Sequence, residues 1–310
     1  MRIMASRCSR PVLAATFAIM AASASAQAPG GQPPAAPAPD FSKVEIKTTK
    51  ISGNLYELEG QGGNIGALVG PDGVFMVDSQ FAPLTEKIAA AIRQISDGRI
   101  RFVVNTHVHA DHTGGNENFA KMGAIVMARD ELRARLALKA PAANTQWPSA
   151  PAARPVVTYR EPVTVHMNGE DIQVIPVPAA HTDGDTLVRF PVADVLMTGD
   201  FFRSLGYPYI DRGNGGSMKG MLAGLNATIE LTGPNTKVIP GHGAVTDRAG
   251  LMAHRDMFVA IRDRVSRLMQ EGKTPEQVVA AKLTAAYDAR FGPNADRFVG
   301  ALYAELKEAK

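Results

Sequence analysis

Cysteine is almost absent from this chain: Cys8 is the single one in 310 residues. No disulfide framework can staple the fold, so stability has to come from a buried core, which a chain of this length can build. Tryptophan is as scarce, with Trp147 alone, and aromatic residues make up only 6%. A spanning hydrophobic segment is missing too. The apolar run Val12–Ala22 holds 11 residues, well short of the roughly 20 that a transmembrane helix needs. Nor is there a large excess of one charge. The formal net charge is +3, and the three arginines of residues 1–26, with no acid among them, account for all of it. The remainder is neutral, without a clustered basic face or aromatic–basic interleaving, which argues against a nucleic-acid partner.

The N-terminus reads as a targeting segment. Arg2, Arg7 and Arg10 make a basic start, the apolar run follows, and Ala24-Ser25-Ala26 supplies small residues before Gln27. This is the pattern of a secretory signal peptide over residues 1–26 with an Ala-x-Ala cleavage site. It predicts a periplasmic or secreted protein, with Cys8 removed and no stable membrane anchor after cleavage. Residues 27–40 are rich in Pro, Ala and Gly and nearly uncharged, as an extended linker is. The folded domain is expected over 41–310, within the range of one large α/β unit.

Within that domain, Val44–Gly53 and Asn54–Glu59 alternate apolar and polar residues as half-wet antiparallel strands do. Asn64–Val69 and Val74–Asp78 read as strands joined by the hairpin signal Gly70-Pro71-Asp72-Gly73. The Gly-rich stretch 60–63 is a turn or substrate flap. Leu84–Ile95 has the spacing of an amphipathic helix. Val163–Met167 and Ile172–Val177 flank an Asn168-Gly169 hairpin turn. Further strands are expected at 124–128, 187–190, 195–197 and 237–239, and helices at 130–138 and 217–231. From Asp247 onward the chain is mostly helical, with Thr274 capping a helix that opens on Pro275.

The chemistry is concentrated in Thr106-His107-Val108-His109-Ala110-Asp111-His112-Thr113-Gly114-Gly115. Only seven histidines exist in the chain, and three of them fall here beside an aspartate. Buried imidazoles and carboxylates each need a polar partner, and a divalent cation satisfies several together. The cluster follows Ile100–Asn105, a β-branched and aromatic strand, and Asn116 is placed to cap a short helix after it. His181, Asp200 and His242 each stand at the end of another predicted strand, which brings all four strand ends to one place. Asp78, ending an apolar strand, is either a carboxylate that orients a ligand histidine or a turn or cap residue. Asp183 and Asp185 are expected to support the loop of His181. His166 is read as structural or exposed, His254 as a packed or capping residue, and Trp147, Tyr207 and Tyr209 as pocket walls or packing residues.

His107-x-His109-x-Asp111-His112, followed in order by His181, Thr198-Gly199-Asp200 and Gly241-His242-Gly243, resembles the metallo-β-lactamase superfamily of hydrolases. The resemblance implies an αββα sandwich, two mixed β-sheets flanked by helices. It implies that His107, His109 and His181 hold one metal, that Asp111, His112 and His242 hold a second, and that Asp200 bridges them. Such a donor set suits two zinc ions, or iron or manganese. Asp111 and Asp200 would be the catalytic carboxylates around a bridging hydroxide, and a small molecule the substrate. True lactamases of the superfamily usually carry Cys or Ser where Asp200 stands. That speaks against a lactam, while export speaks against a cytosolic thioester and suits antibiotic degradation, so the expected substrate is a carbonyl compound (ester, lactone, thioester or lactam) with the bond type open. A periplasmic β-lactamase is the alternative and a catalytically inactive metal-binding protein the non-enzymatic one.

Overall fold

The computed structural model describes residues 40–138, 150–292 and 295–308. The expected signal peptide, the expected linker as far as residue 39, and Trp147 lie outside the described residues. From Asp40 onward the chain forms one unit.

Among the described residues, seven strands form the first sheet in chain order: β1 (Lys47–Ser52), β2 (Leu55–Glu59), β3 (Ile65–Leu68), β4 (Val74–Val77), β5 (Ile100–Val104), β6 (Ile125–Arg129) and β7 (Val157–Tyr159). The first four are antiparallel, and β4 to β7 run parallel. The second sheet contains β8 (Val163–Met167), β9 (Glu170–Pro176), β10 (Thr186–Phe190), β11 (Val195–Met197) and β12 (Lys237–Ile239), in the order β12-β11-β10-β9-β8. Only its β11–β12 pair is parallel. The helices are α1 (Thr85–Arg93), α2 (Ala110–Thr113), α3 (Asn116–Lys121), α4 (Asp130–Ala137), α5 (Met218–Leu231), α6 (Arg248–Gln270), α7 (Pro275–Ala280), α8 (Asp288–Phe291) and α9 (Asp296–Glu308).

Three apolar layers explain the arrangement. Phe75, Val77 and Val104 of the first sheet meet Val174, Val188, Phe190 and Met197 of the second. The alternate residues of the same strands, Val74, Met76 and Val103, face outward onto Ile88 and Ile92 of α1 and Phe119 of α3. Central strands are therefore buried on both faces, and β4 reads as an unbroken apolar run for that reason. On the far side, Leu187, Leu196 and Val238 pack against α5, α6 and α9. This is the αββα sandwich expected.

Local signals behaved as physical chemistry directs. Ser217 caps α5 through the Gly220 amide, and Thr274 with Gln277 forms a capping box before Pro275. The expected cap at Asn116 is corrected. Gly115 occupies the cap position and makes no side-chain bond. Asn116 begins the helix, and its buried amide instead bonds Ser79, Asn105 and the Ala153 carbonyl. A tertiary polar network outcompeted the local cap.

One buried acid is a liability. Glu57 of β2 is 4% exposed, and its Oε1 has no hydrogen-bond partner. Burial, reinforced by the charge of Glu59, pushes its carboxyl up to about 7 from 4.5. Between those values the folded chain keeps a proton that the unfolded chain has released, so stability falls as pH rises through that window. Glu57→Gln is expected to gain about 1–2 kcal/mol at pH 8 and almost nothing at pH 4.5. Denaturant melts at both pH values check this, and an equal effect at both would refute it.

Candidate metal centre

Five strand ends meet at one edge of the sandwich. Asp78 leaves β4, His107 to His112 leave β5, His181 follows β9, Asp200 follows β11 and His242 follows β12. His109 opens the single turn α2, which turns Asp111 and His112 back toward the sheet.

The ligand atoms of His107, His109 and His181 lie within 4.8 Å of one another, as do those of Asp111, His112 and His242, and those of His107, His112 and Asp200. Asp200 stands between the two triads. Its Oδ1 is 3.3 Å from His112 Nε2, and its Oδ2 is 3.3 Å from His242 Nε2 and 3.8 Å from His181 Nε2. His181 Nε2 faces His109 Nδ1 at 2.9 Å, His112 Nε2 faces His242 Nε2 at 3.4 Å, and Asp111 Oδ2 is 3.1 Å from His242 Nε2. The residues read from sequence as ligands are thus brought together, and His166 and His254 stand apart. His166 is exposed beside Asp171, and His254 is buried between Phe202 and Phe291. His166→Ala and His254→Ala are expected to leave metal content unchanged by elemental analysis.

The residues fit a divalent pair. His107 Nε2 and Asp200 Oδ1 are fully buried with no hydrogen-bond partner, a cost that a cation removes. In four of the five histidines the outer ring nitrogen is already engaged, which points the inner one at the centre. His112 Nδ1 bonds Asp78 at 2.7 Å, His109 Nε2 bonds Asp211 at 2.7 Å, His181 Nδ1 bonds the Tyr209 carbonyl at 2.6 Å and His107 Nδ1 meets Thr106 Oγ1 at 3.1 Å. Burial, helped by neighbouring imidazoles, holds His107 well below the usual range, and burial takes His181 down to about 3 against the pull of Asp200. Both are neutral donors at pH 7. At His112 burial also opposes charge, but Asp111, Asp78 and Asp200 outweigh it and raise the group. His112 and His242 hold Asp200 well below its ordinary range despite its burial. A proton and a cation would compete for this half of the centre.

Asp78 settles its open reading. Its carboxylate accepts from Thr106 N, Thr106 Oγ1 and His112 Nδ1, each at 2.7 Å, while its backbone sits at φ 64°. Several bonds hold an otherwise disfavoured conformation. Asp185 accepts from the amides of His181 and Thr182, and Asp183 pairs with Arg135, so both support the loop as expected. Tyr207 is a packing residue, stacked on Phe298 with its hydroxyl on Asp288. The Gly-rich turn does more than bend: a Cβ on Gly63 would enter the His112 ring, and one on Gly241 the Asp200 carboxylate. Sequence reasoning missed Asp211, Asn64 and Arg203. Asn64 ties the His242 turn to the first sheet through Pro240, Gly241 and Gly243, and Arg203 Nε lies 3.9 Å from Asp200. Nothing in local pattern marks Asn64 or Asp211. Arg203, three residues after Asp200, was within reach of a spacing argument.

The sequence profile of the Metallo-beta-lactamase superfamily matches residues 58–248. The chain belongs to the metallo-β-lactamase superfamily. Among solved structures of that fold, DIM-1 metallo-beta-lactamase matches with 21% identity and a TM-score of 0.57, over 70% of this chain and 98% of that one. The metallo-beta-lactamase from Pontibacter korlensis matches with 18% identity and a TM-score of 0.58, over 69% and 99%. The stereoselective inverting sec-alkylsulfatase Pisa1 from Pseudomonas sp. gives 18% identity and a TM-score of 0.65, over 83% of this chain but 50% of that one. No curated protein sequence matches significantly. At these identities the likeness to solved structures establishes the fold. All of α6 after its first residue, and helices α7 to α9, lie beyond the superfamily match.

Proposed function

We propose that this superfamily member is a binuclear metal-dependent hydrolase, using zinc or a similar divalent ion, that attacks a small carbonyl substrate such as an ester, lactone or thioester. The observation that carries this reading is the pair of histidine-rich triads sharing Asp200. His107, His109 and His181 would hold one ion, Asp111, His112 and His242 the other. Two bound cations would make water a nucleophile near neutral pH and polarise the carbonyl.

The chain's own groups supply position and charge. Asp111 is held down to about 2, where His112 and His242 outweigh its burial, so it is a carboxylate at neutral pH. With its side chain 24% exposed beside His242, it can orient a water by accepting its hydrogen bond. Asp200, buried between the triads, keeps their separation fixed. Arg203 sets a positive charge beside Asp200, its Nε 3.9 Å from Oδ2. The basic, apolar and small-residue succession of residues 1–26 supports action in the periplasm or outside the cell.

β-Lactam cleavage is the second reading, favoured by the export pattern of residues 1–26 and opposed by an aspartate at position 200. Metal analysis with a hydrolysis panel of lactones, thioesters, esters, β-lactams and alkyl sulfates, each with and without chelator, separates them. Uptake of less than one equivalent of Zn, Fe or Mn would sink the hydrolase reading. Full uptake with no turnover across the panel would favour a metal-binding protein.

A further inference from the structure

The C-terminal helix reaches one half of the centre and not the other. Tyr209 touches two members of the first triad. Its carbonyl accepts from His181 Nδ1 at 2.6 Å, and its ring stacks on His109 at 5.9 Å with an interplanar angle of 13°. On this tyrosine lies Arg297 of α9, whose guanidinium carbon is 3.5 Å from the ring centroid and which also donates to the phenol oxygen. The next residue, Phe298, is buried and stacks on Tyr207 at 6.1 Å. Consecutive residues in the first turn of α9 thus grip alternate residues of the site loop.

The same helix holds the rest of that loop. Arg212 pairs with Glu308 at 2.6 Å, and Glu305 accepts from the amides of Met218 and Lys219 at the start of α5. Between these anchors lies Asp211, which bonds His109 Nε2 and donates its amide to the His181 carbonyl. The second triad is supported elsewhere. His112 leans on Asp78, and His242 is carried by a turn fixed by Asn64 and the Ser204 amide.

We propose that α9 is a positioning element for the His107/His109/His181 half of the centre: Arg297 fixes Tyr209, and Tyr209 fixes the rings of His109 and His181. The inference rests on the metal-centre reading for its consequence, but its geometry can be tested without metal. Arg297 is exposed, so its replacement leaves the apolar core intact.

In metal-free protein, histidine ring signals read by NMR should shift for His109 and His181 in Arg297→Ala and stay in place for His112 and His242. With zinc or cobalt added, chelator competition should show one equivalent weakened about tenfold or more and the other unchanged. Arg297→Lys should recover only part of the loss, because an ammonium has no planar face to stack. The proposal is overturned if Arg297→Ala leaves the His109 and His181 signals unmoved, or if all four histidines shift alike. Should the wild type take up no metal, the hydrolase reading fails while the metal-free signals still decide the role of α9.

Discussion

Replacing Asp200 by Ala should lower turnover by roughly 10³-fold, about 4 kcal/mol of barrier, and release at least one of the two metal equivalents. Asp200 is the one group whose two oxygens face both triads, Oδ1 toward His112 and Oδ2 toward His242 and His181. No neighbour can substitute for it, because Asp111 is near only His112 and His242. The metal-free variant should still fold. The three apolar layers do not include Asp200, and its buried Oδ1 has no hydrogen-bond partner among the described residues. What should shrink is the stabilisation by added metal, which grows with the logarithm of metal concentration over its dissociation constant. Thermal melts with and without zinc, alongside elemental analysis, check the claim. Two tightly held equivalents in Asp200→Ala would show that this residue does not join the two halves.

Asp78→Ala should be the more damaging change to the protein as a whole. Three buried donors, the Thr106 amide, the Thr106 hydroxyl and His112 Nδ1, converge on its carboxylate. Leaving a buried donor unpaired costs about 1–3 kcal/mol, and alanine also takes the left-handed backbone at φ 64° less readily than aspartate does. The metal-free chain is therefore expected to lose about 3 kcal/mol or more. Affinity for the ion at His112 should drop about 10–100-fold, the usual effect of removing a carboxylate that orients a ligand imidazole. Asp78→Asn should fall between, since its oxygen can still accept from Thr106. Denaturant unfolding and chelator competition read the two effects separately. Wild-type metal affinity in Asp78→Ala would mean that His112 is oriented by something else.

The alternating and unbroken apolar runs of β1 to β6 were legible in the sequence, because pleat and burial write a period into the chain. So were the candidate ligands from His107 to His242, since imidazole and carboxylate at successive strand ends have few other uses. Asp78 was legible only as two alternatives. Tertiary structure chose between them by placing Thr106 and His112 against it. The partners of the outer ring nitrogens could not be read at all where sequence separation is large. Asp211 lies 102 residues from His109, and Asn64 lies 176 residues from Pro240, so no local pattern connects them.

Sequence alone determined which groups could hold a cation, and the sandwich that carries them, because composition and period are properties of the chain itself. Only the tertiary structure decided how those groups are aimed. Aim depends on which carbonyl, carboxylate or helix lands behind each imidazole, and that follows from the packing of distant segments.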